Sequence, residues 1–159
     1  MPEPHDKDTY DEDSYDEDLA ARKYAAAHDP AFPARREQGF AVILAALERA
    51  LTAEGYSLRG STFSRTTPRG KSAVHVQRSR YGWDAQIVLR FVTAAGLPPD
   101  HPEWPEDNEL ALWDFAEESP RDPGTLAFVD VLDHPAVLVA ALELLTTRAL
   151  PWLDALHDL

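Results

Sequence analysis

The chain contains no cysteine among its 159 residues. This absence excludes a disulfide scaffold, a cysteine-ligated zinc site, an iron–sulfur cluster and catalysis by a thiol. Long apolar runs are missing too, since Phe40–Leu47 and Pro135–Leu142 fall well short of the ~20 residues that a membrane-spanning helix needs. Residues 1–18 contain no apolar stretch of the kind found in secretory signals. We therefore expect a cytoplasmic protein whose core is built from the 44% of residues that are hydrophobic.

Basic residues are scarce, and they are concentrated in one part of the chain. Fifteen lysines and arginines stand against 28 acidic residues, which gives a formal net charge of −13. Residues 1–18 carry −8 and residues 91–159 carry −12, whereas residues 59–90 carry +6. Because the leading acidic block offers little to bury, we predict a disordered tail over residues 1–18 and a single domain over residues 19–159. This asymmetry bears on the choice of partner rather than on the fold.

The spacing of apolar residues predicts helices at both ends of the domain. A capping box at Ser14 predicts a helix from Tyr15 to His28, and a stripe with helical spacing predicts a longer helix over Arg35–Glu54. Pro135 fits the start of another helix, and Pro151–His157 is predicted as the last one, because proline is tolerated in the first turn.

Between these helices the apolar period changes from 3.6 to 2. Val74 and Val76 alternate with His75 and Gln77, and Trp83–Phe91 alternates in the same way, so an antiparallel meander with one apolar face is expected.

Two short apolar runs, Leu110–Phe115 and Thr125–Val131, are interpreted as further strands joined by a turn at Pro120–Gly124. The complete pattern predicts an α+β fold in which the N- and C-terminal helices pack on the apolar face of the sheet.

Signatures of catalysis, metal binding and cofactor binding are absent from the sequence. Gly70-Lys71-Ser72 resembles the end of a phosphate-binding loop, but Arg65 stands where that motif has its first glycine. No serine lies in a G-x-S-x-G elbow, and the six histidines show no spacing suited to a metal. We therefore predict no catalytic residue, no metal site and no cofactor.

The candidate site comes from the basic segment. Two arginines and two aromatic residues at a hairpin tip would combine phosphate pairing with base stacking, and a polar row on the same strands could line a ligand site. The alternative is a structural strand end whose arginines pair with the acidic C-terminal part. The candidates are Arg65, His75, Gln77, Arg78, Ser79, Arg80, Tyr81 and Trp83.

A series of short motifs between residues 54 and 153 matches a known pattern. The motifs are Glu54-Gly55-Tyr56, Gly60-Ser61-Thr62-Phe63-Ser64-Arg65, Val74-His75-Val76-Gln77-Arg78-Ser79, the strand Trp83–Phe91 and Leu150-Pro151-Trp152-Leu153. This series resembles a bacterial family, the domain-of-unknown-function family numbered 4304. The resemblance covers residues 38–92 and, more loosely, residues 125–156. It implies an α+β fold and a framework of glycine, phenylalanine and polar positions, but no catalytic residue, cofactor or substrate.

Three functional hypotheses remain open at this point. The first is a non-enzymatic protein-interaction module, similar to an immunity protein, whose acidic surface binds a basic partner. The second is a nucleic-acid or anion-binding module that uses the basic hairpin of residues 59–90. The third is an enzyme with a polar pocket formed by His75, Gln77 and Arg65.

Overall fold

In a computed structural model of the chain, the described residues are 20–21, 23–79, 82–116 and 125–158. They belong to two compact units, Met1–Pro33 and Ala34–Leu159. In the first unit, residues 20–21 and 23–27 are helical, and the helix ends just before Asp29-Pro30, as predicted. The predicted start of that helix at Tyr15, and the predicted tail of residues 1–18, lie outside the described residues.

The remaining helices and strands follow in chain order. The helices are α1 (Phe32–Thr52), α2 (Phe128–Asp133), α3 (Ala136–Leu144) and α4 (Leu150–His157), with a 3-10 turn at Leu112–Phe115 and a π-helical turn at Leu145–Ala149. The strands are β1 (Ser57–Arg59), β2 (Thr62–Thr67), β3 (Gly70–Arg78), β4 (Asp84–Thr93), β5 (Leu110–Ala111) and β6 (Thr125–Ala127).

Within the described residues, six antiparallel strands form one sheet in which β1, β2, β3 and β4 are sequential neighbours. Phe63, Val74 and Leu89 lie side by side in the register of β2, β3 and β4, and all three are fully buried. This row defines the apolar face, on which α1 packs through Ile43 and Leu47. The predicted α+β meander with flanking helices is therefore confirmed.

Helix α1 supplies the deepest part of the core. Ile43, Leu47 and Leu51 have no exposed surface, because the i, i+4, i+8 spacing places them on one face of the helix. Gly55 follows the helix with φ of +86°, the left-handed conformation that favours glycine, and the Tyr56 amide donates back to the Leu51 carbonyl at 3.0 Å. The predicted helix and its glycine stop are confirmed.

The expectation that both short apolar runs are entirely strands is wrong. Strand β5 ends at Ala111 and β6 ends at Ala127, and each continues directly into a helical turn. The two strands do not pair with each other, because both lie along the same edge of β4, β5 beside Leu89 and β6 beside Ala85. Short runs of this kind carry too few residues for periodicity to separate strand from helix. The predicted turn between them lies outside the described residues.

The C-terminal helices form one continuous helical segment rather than two separate helices. Helix α3 begins after Pro135 as predicted, but Pro151 does not start a new helix. The π-helical turn joins α3 to α4, and the Leu150 amide donates to the Leu145 carbonyl, five residues back. We attribute this wider turn to Pro151, which has no N–H to donate to the preceding turn.

Among the described residues, one helix, Ala136–His157, is long and apolar enough to cross a membrane. This property is weak evidence for a span, because the core helix of a globular protein has the same composition. Here Ala141, Leu145 and Leu153 are fully buried in the hydrophobic core of the second unit.

Candidate functional site

Arg78 at the end of β3 is held by helix α1. Its guanidinium donates two hydrogen bonds to the Glu37 carboxylate, at 2.7 and 3.0 Å, and its Cζ lies 3.6 Å from the centroid of the Phe40 ring. The hydrogen bond from Arg78 lowers the pKa of Glu37. The expected pairing of this arginine with the acidic C-terminal part is wrong, because its carboxylate partner lies in the N-terminal helix. A guanidinium with a bidentate partner and a ring beneath it has few donors left for a phosphate.

The turn after β3 uses Ser79 as a structural residue. The Ser79 amide donates to the Asp84 carbonyl at 2.9 Å, and the Ser79 hydroxyl accepts a 3.3 Å hydrogen bond from the Trp83 amide. Gly82 has φ of +74°, and the Arg36 guanidinium lies over it, 2.9 Å from where a Cβ would stand. Trp83 itself is partly buried. The two remaining candidates at the hairpin tip, Arg80 and Tyr81, lie outside the described residues.

The predicted polar row exists, but Arg65 does not belong to it. His75 and Gln77 project from the sheet face opposite Val74, where His75 Nδ1 lies 2.8 Å from Thr62 Oγ1 and Gln77 is exposed. Arg65 shares the opposite face with Phe63 because strand side chains alternate. The hypothesis of a polar pocket formed by His75, Gln77 and Arg65 is therefore wrong, because Arg65 lies on the other face of the sheet.

Carboxylates from outside the basic segment pair with two further arginines of the sheet. Arg65 Nη1 lies 2.9 Å from Asp154 Oδ1 on α4, and Arg90 on β4 is hydrogen-bonded to Glu109 in the loop that precedes β5. Both partners belong to the acidic C-terminal part, as the structural interpretation of these strands expects. Together with Arg78, three arginines of the +6 segment are engaged in ion pairs.

A buried hydroxyl–imidazole network, which no sequence pattern predicted, lies at one end of the sheet. His157 Nε2 is 2.8 Å from Ser72 Oγ, and His157 Nδ1 is 2.7 Å from Thr67 Oγ1. The Tyr56 hydroxyl lies 2.8 Å from the same Ser72 oxygen. Ser72 is fully buried, and Tyr56 and His157 are 3% and 5% exposed. Ser72 and His157 stand 85 positions apart, so no local motif could have revealed the pair.

The contact between Ser72 and His157 has the length of a nucleophile–base pair, but its surroundings suit a structural role. Ser72 has no surface that a substrate could reach, and the group behind the imidazole is the Thr67 hydroxyl rather than a carboxylate. Burial lowers the pKa of His157, which favours the neutral imidazole, and burial raises the pKa of Tyr56. The arrangement can therefore hold or relay protons, and it offers no nucleophile to solvent.

Metal ligation has no support in the described part of the chain, which contains no group of three or more histidine, aspartate or glutamate side chains arranged to hold an ion.

The segment 100–114, which we call the acidic loop, contains six carboxylates and no lysine or arginine. Aromatic residues attach it to α4. Trp104 stacks on Trp152 with ring centroids 5.4 Å apart and an interplanar angle of 10°, while His101 and Phe115 approach Trp152 edge-on at 5.6 Å. The Trp104 indole donates to Asn108 Oδ1 at 2.7 Å, which ties the loop to itself. A polar segment is thus fixed in place by its aromatic side chains.

The outer side of the acidic loop combines charge with an exposed indole. Trp113 is 47% exposed, although Leu112 beside it is fully buried. Five of the six carboxylate residues are exposed, namely Asp100, Glu103, Glu106, Asp107 and Asp114. Asp114, the residue after Trp113 in the 3-10 turn, is one of these exposed carboxylate residues. The same turn carries Phe115, whose ring contacts Trp152 on α4.

Comparison of the chain with protein-family models, with curated proteins and with solved structures finds no match.

Proposed function

We propose that the protein is a non-enzymatic interaction module that binds a basic protein through its acidic loop. The observation that carries the proposal is that the acidic loop contains both the exposed Trp113 and the carboxylates of Asp100, Glu103 and Glu106. These three carboxylates have no lysine or arginine partner in the described part of the chain. An acidic patch accelerates encounter with a basic partner, and an exposed tryptophan is a typical energetic centre of an interface.

The ion pairs of the sheet support this proposal over nucleic-acid binding. Carboxylates of the same chain form ion pairs with Arg65, Arg78 and Arg90. Net charge of −13 also opposes approach to a phosphate backbone. We expect the partner to be a cationic cytoplasmic protein such as a nuclease, whose activity an immunity-like module would inhibit. The resemblance to the family numbered 4304 remains a proposal and assigns no partner.

The test starts with capture from a cytosolic extract of the source organism, followed by titration of the purified captured protein. Two variants address the loop: Trp113→Ala, and Glu103→Gln combined with Glu106→Gln. The matched control is Glu48→Gln combined with Glu143→Gln, which removes the same charge at exposed positions of α1 and α3. Each variant is first checked for an unchanged thermal midpoint.

We expect a basic protein that the wild type and the control retain equally. Trp113→Ala should weaken its affinity about 30-fold, and the loop charge variant should slow its association about tenfold at low salt. Equal retention by all three variants would contradict the assignment to the acidic loop. Salt-sensitive retention of nucleic acid instead of protein would favour the basic hairpin.

A further inference from the structure

The buried network around His157 connects three separate parts of the second unit. The imidazole is the last side chain of α4, Ser72 lies on β3, and Thr67 closes β2. Tyr56 joins from the segment before β1 through its contact with Ser72. The network therefore joins the final turn of α4 to the sheet through hydrogen bonds in which the Tyr56, Ser72 and His157 side chains are buried.

The proton count of the network matches a neutral imidazole. Neutral histidine offers one donor and one acceptor, so Tyr56 can donate to Ser72, Ser72 to Nε2 of His157, and Nδ1 to Thr67. A protonated imidazole donates from both nitrogens. Ser72 then accepts from Nε2, and the contact between Ser72 and Tyr56 can use only one of their two hydroxyl protons, so one of these donors loses its acceptor within the network. Protonation thus leaves a buried donor unsatisfied in addition to burying a charge.

The charged groups that face His157 act in both directions. Burial is the largest influence and lowers its pKa, and the Arg65 guanidinium on β2 lowers it further. Asp154 and Asp158, on the same helical segment as His157, raise it. From β4 the imidazole meets the uncharged ring of Phe91, edge-on at 4.9 Å. Together these influences lower the pKa of His157, so its neutral form dominates in the folded chain at neutral pH.

We propose that Tyr56, Ser72, Thr67 and His157 form an acid-sensitive latch, in which protonation of His157 releases α4 from β2 and β3. Once α4 is released, His157 regains the ordinary histidine pKa of ~6.5 and binds a proton more tightly than it does in the latched state. The stability that the latch adds is therefore complete above that pH and is lost as the pH falls toward the lower pKa of the latched state. The latch stands independently of the proposed function.

Release of α4 would also dismantle the acidic loop. Trp152 lies on α4, five residues before His157, and its ring contacts hold Trp104, His101 and Phe115. The same event therefore exposes the stacked indoles and frees the exchangeable amides of the last helix. Two readouts follow, one from tryptophan fluorescence and one from hydrogen exchange.

The test is hydrogen exchange of the full chain at about pH 7.5 and about pH 5, corrected for the intrinsic chemical rate. We expect protection of residues 150–157 to fall at least about tenfold at the lower pH, while residues 43–51 of α1 stay protected. The variant His157→Gln keeps one donor and one acceptor but does not titrate, so this difference should vanish. His75→Gln, on the other sheet face, is the matched control and should retain it.

Equal acid sensitivity in the wild type and His157→Gln would overturn the latch, and so would equal loss of protection in α1 and α4. If His157→Gln does not fold, the wild type still decides by NMR titration of the His157 ring. The expected midpoint lies below that of an unfolded peptide, and Arg65→Gln should raise it. A midpoint at or above the peptide value would overturn the proposal.

Discussion

Single side chains determine how much of the basic segment is available to a partner. Arg78 and Glu37 meet in a bidentate pair, and the guanidinium also lies on the Phe40 ring, so this cation serves the packing of β3 against α1. The hydroxyls of Ser72 and Tyr56 also serve the fold, because each is buried and has a hydrogen-bond partner at 2.8 Å. Arg78, which looked functional in the sequence, therefore stabilises the fold, as do the buried hydroxyls of Ser72 and Tyr56.

The buried hydroxyl of Tyr56 makes the stability of the fold sensitive to alkaline pH. Burial raises the pKa of Tyr56, so the folded chain holds the phenolic proton to higher pH than the unfolded chain does. The resulting stability is present below about pH 10 and is lost as the pH rises toward the folded value. Near neutral pH, Tyr56→Phe should lower the free energy of unfolding by about 1 kcal/mol, because Ser72 loses a hydrogen-bond partner. Above about pH 10, the variant should lose less stability than the wild type does, because it has no phenolic proton to release.

Urea unfolding of both proteins at about pH 8 and about pH 10.5 checks this expectation. Tyr24→Phe is the control, since Tyr24 is 70% exposed. A parallel decline of the wild type and Tyr56→Phe at the higher pH would contradict the assignment of the alkaline loss to Tyr56.

The secondary-structure elements divide into those that carry the core and those that position surface. Helix α1 and strands β2 to β4 supply the fully buried side chains at the centre, including Leu47 and Leu89. The C-terminal segment has both functions, because α3 and α4 bury Ala141 and Leu153 while Trp152 anchors the acidic loop. A substitution in α4 is therefore expected to alter the position of the acidic loop, whereas a substitution on the buried face of α1 is expected to destabilise the whole fold.

Helix α1 gives a prediction at the element scale. Leu47→Asp places an unpaired charge where the native side chain has no exposed surface, and we expect it to lower the free energy of unfolding by about 4 kcal/mol or more. Ala45→Asp introduces the same charge at an exposed position of the same helix and should cost less than about 1 kcal/mol. Circular dichroism melts measure both, and a cooperative, unshifted melt of Leu47→Asp would contradict the placement of α1.

The molecule as a whole is strongly acidic, and its charge is arranged in two ways. Along the sheet, arginines of β2, β3 and β4 form ion pairs with carboxylates from other parts of the chain. The acidic loop, by contrast, carries five exposed carboxylates that have no lysine or arginine partner among the described residues, and it also carries the exposed Trp113. A part of the excess negative charge therefore lies on an exposed loop of the second unit, where it would attract a basic partner.

The second unit gives a prediction at the scale of the molecule. All residues of its buried core lie between Ile43 and Leu156. We therefore expect the fragment 34–159 to fold by itself and to melt cooperatively in calorimetry. The fragment 34–144 lacks α4 with its fully buried Leu153 and should show no cooperative transition. Failure of the longer fragment to melt cooperatively would contradict the independence of this unit.

Local patterns were sufficient for the α+β meander and for helix α1. Alternation in β3 and β4 assigned Val74, Val76 and Ile87 to the buried face, because the face of a strand residue follows from its parity alone. The helical stripe of α1 and the stop at Gly55 were equally local, since capping and periodicity act over a few residues.

Tertiary structure alone decided the partners of the polar side chains. Arg78 found Glu37, 41 positions away, and His157 found Ser72, 85 positions away, because strand register and helix placement brought them together. The short runs at Leu110 and Thr125 divided into strand and helix for the same reason, since the far edge of β4 offered pairing for only two or three residues of each. Hydrogen bonds and ion pairs between distant residues depend on this geometry, which no local pattern of residue types encodes.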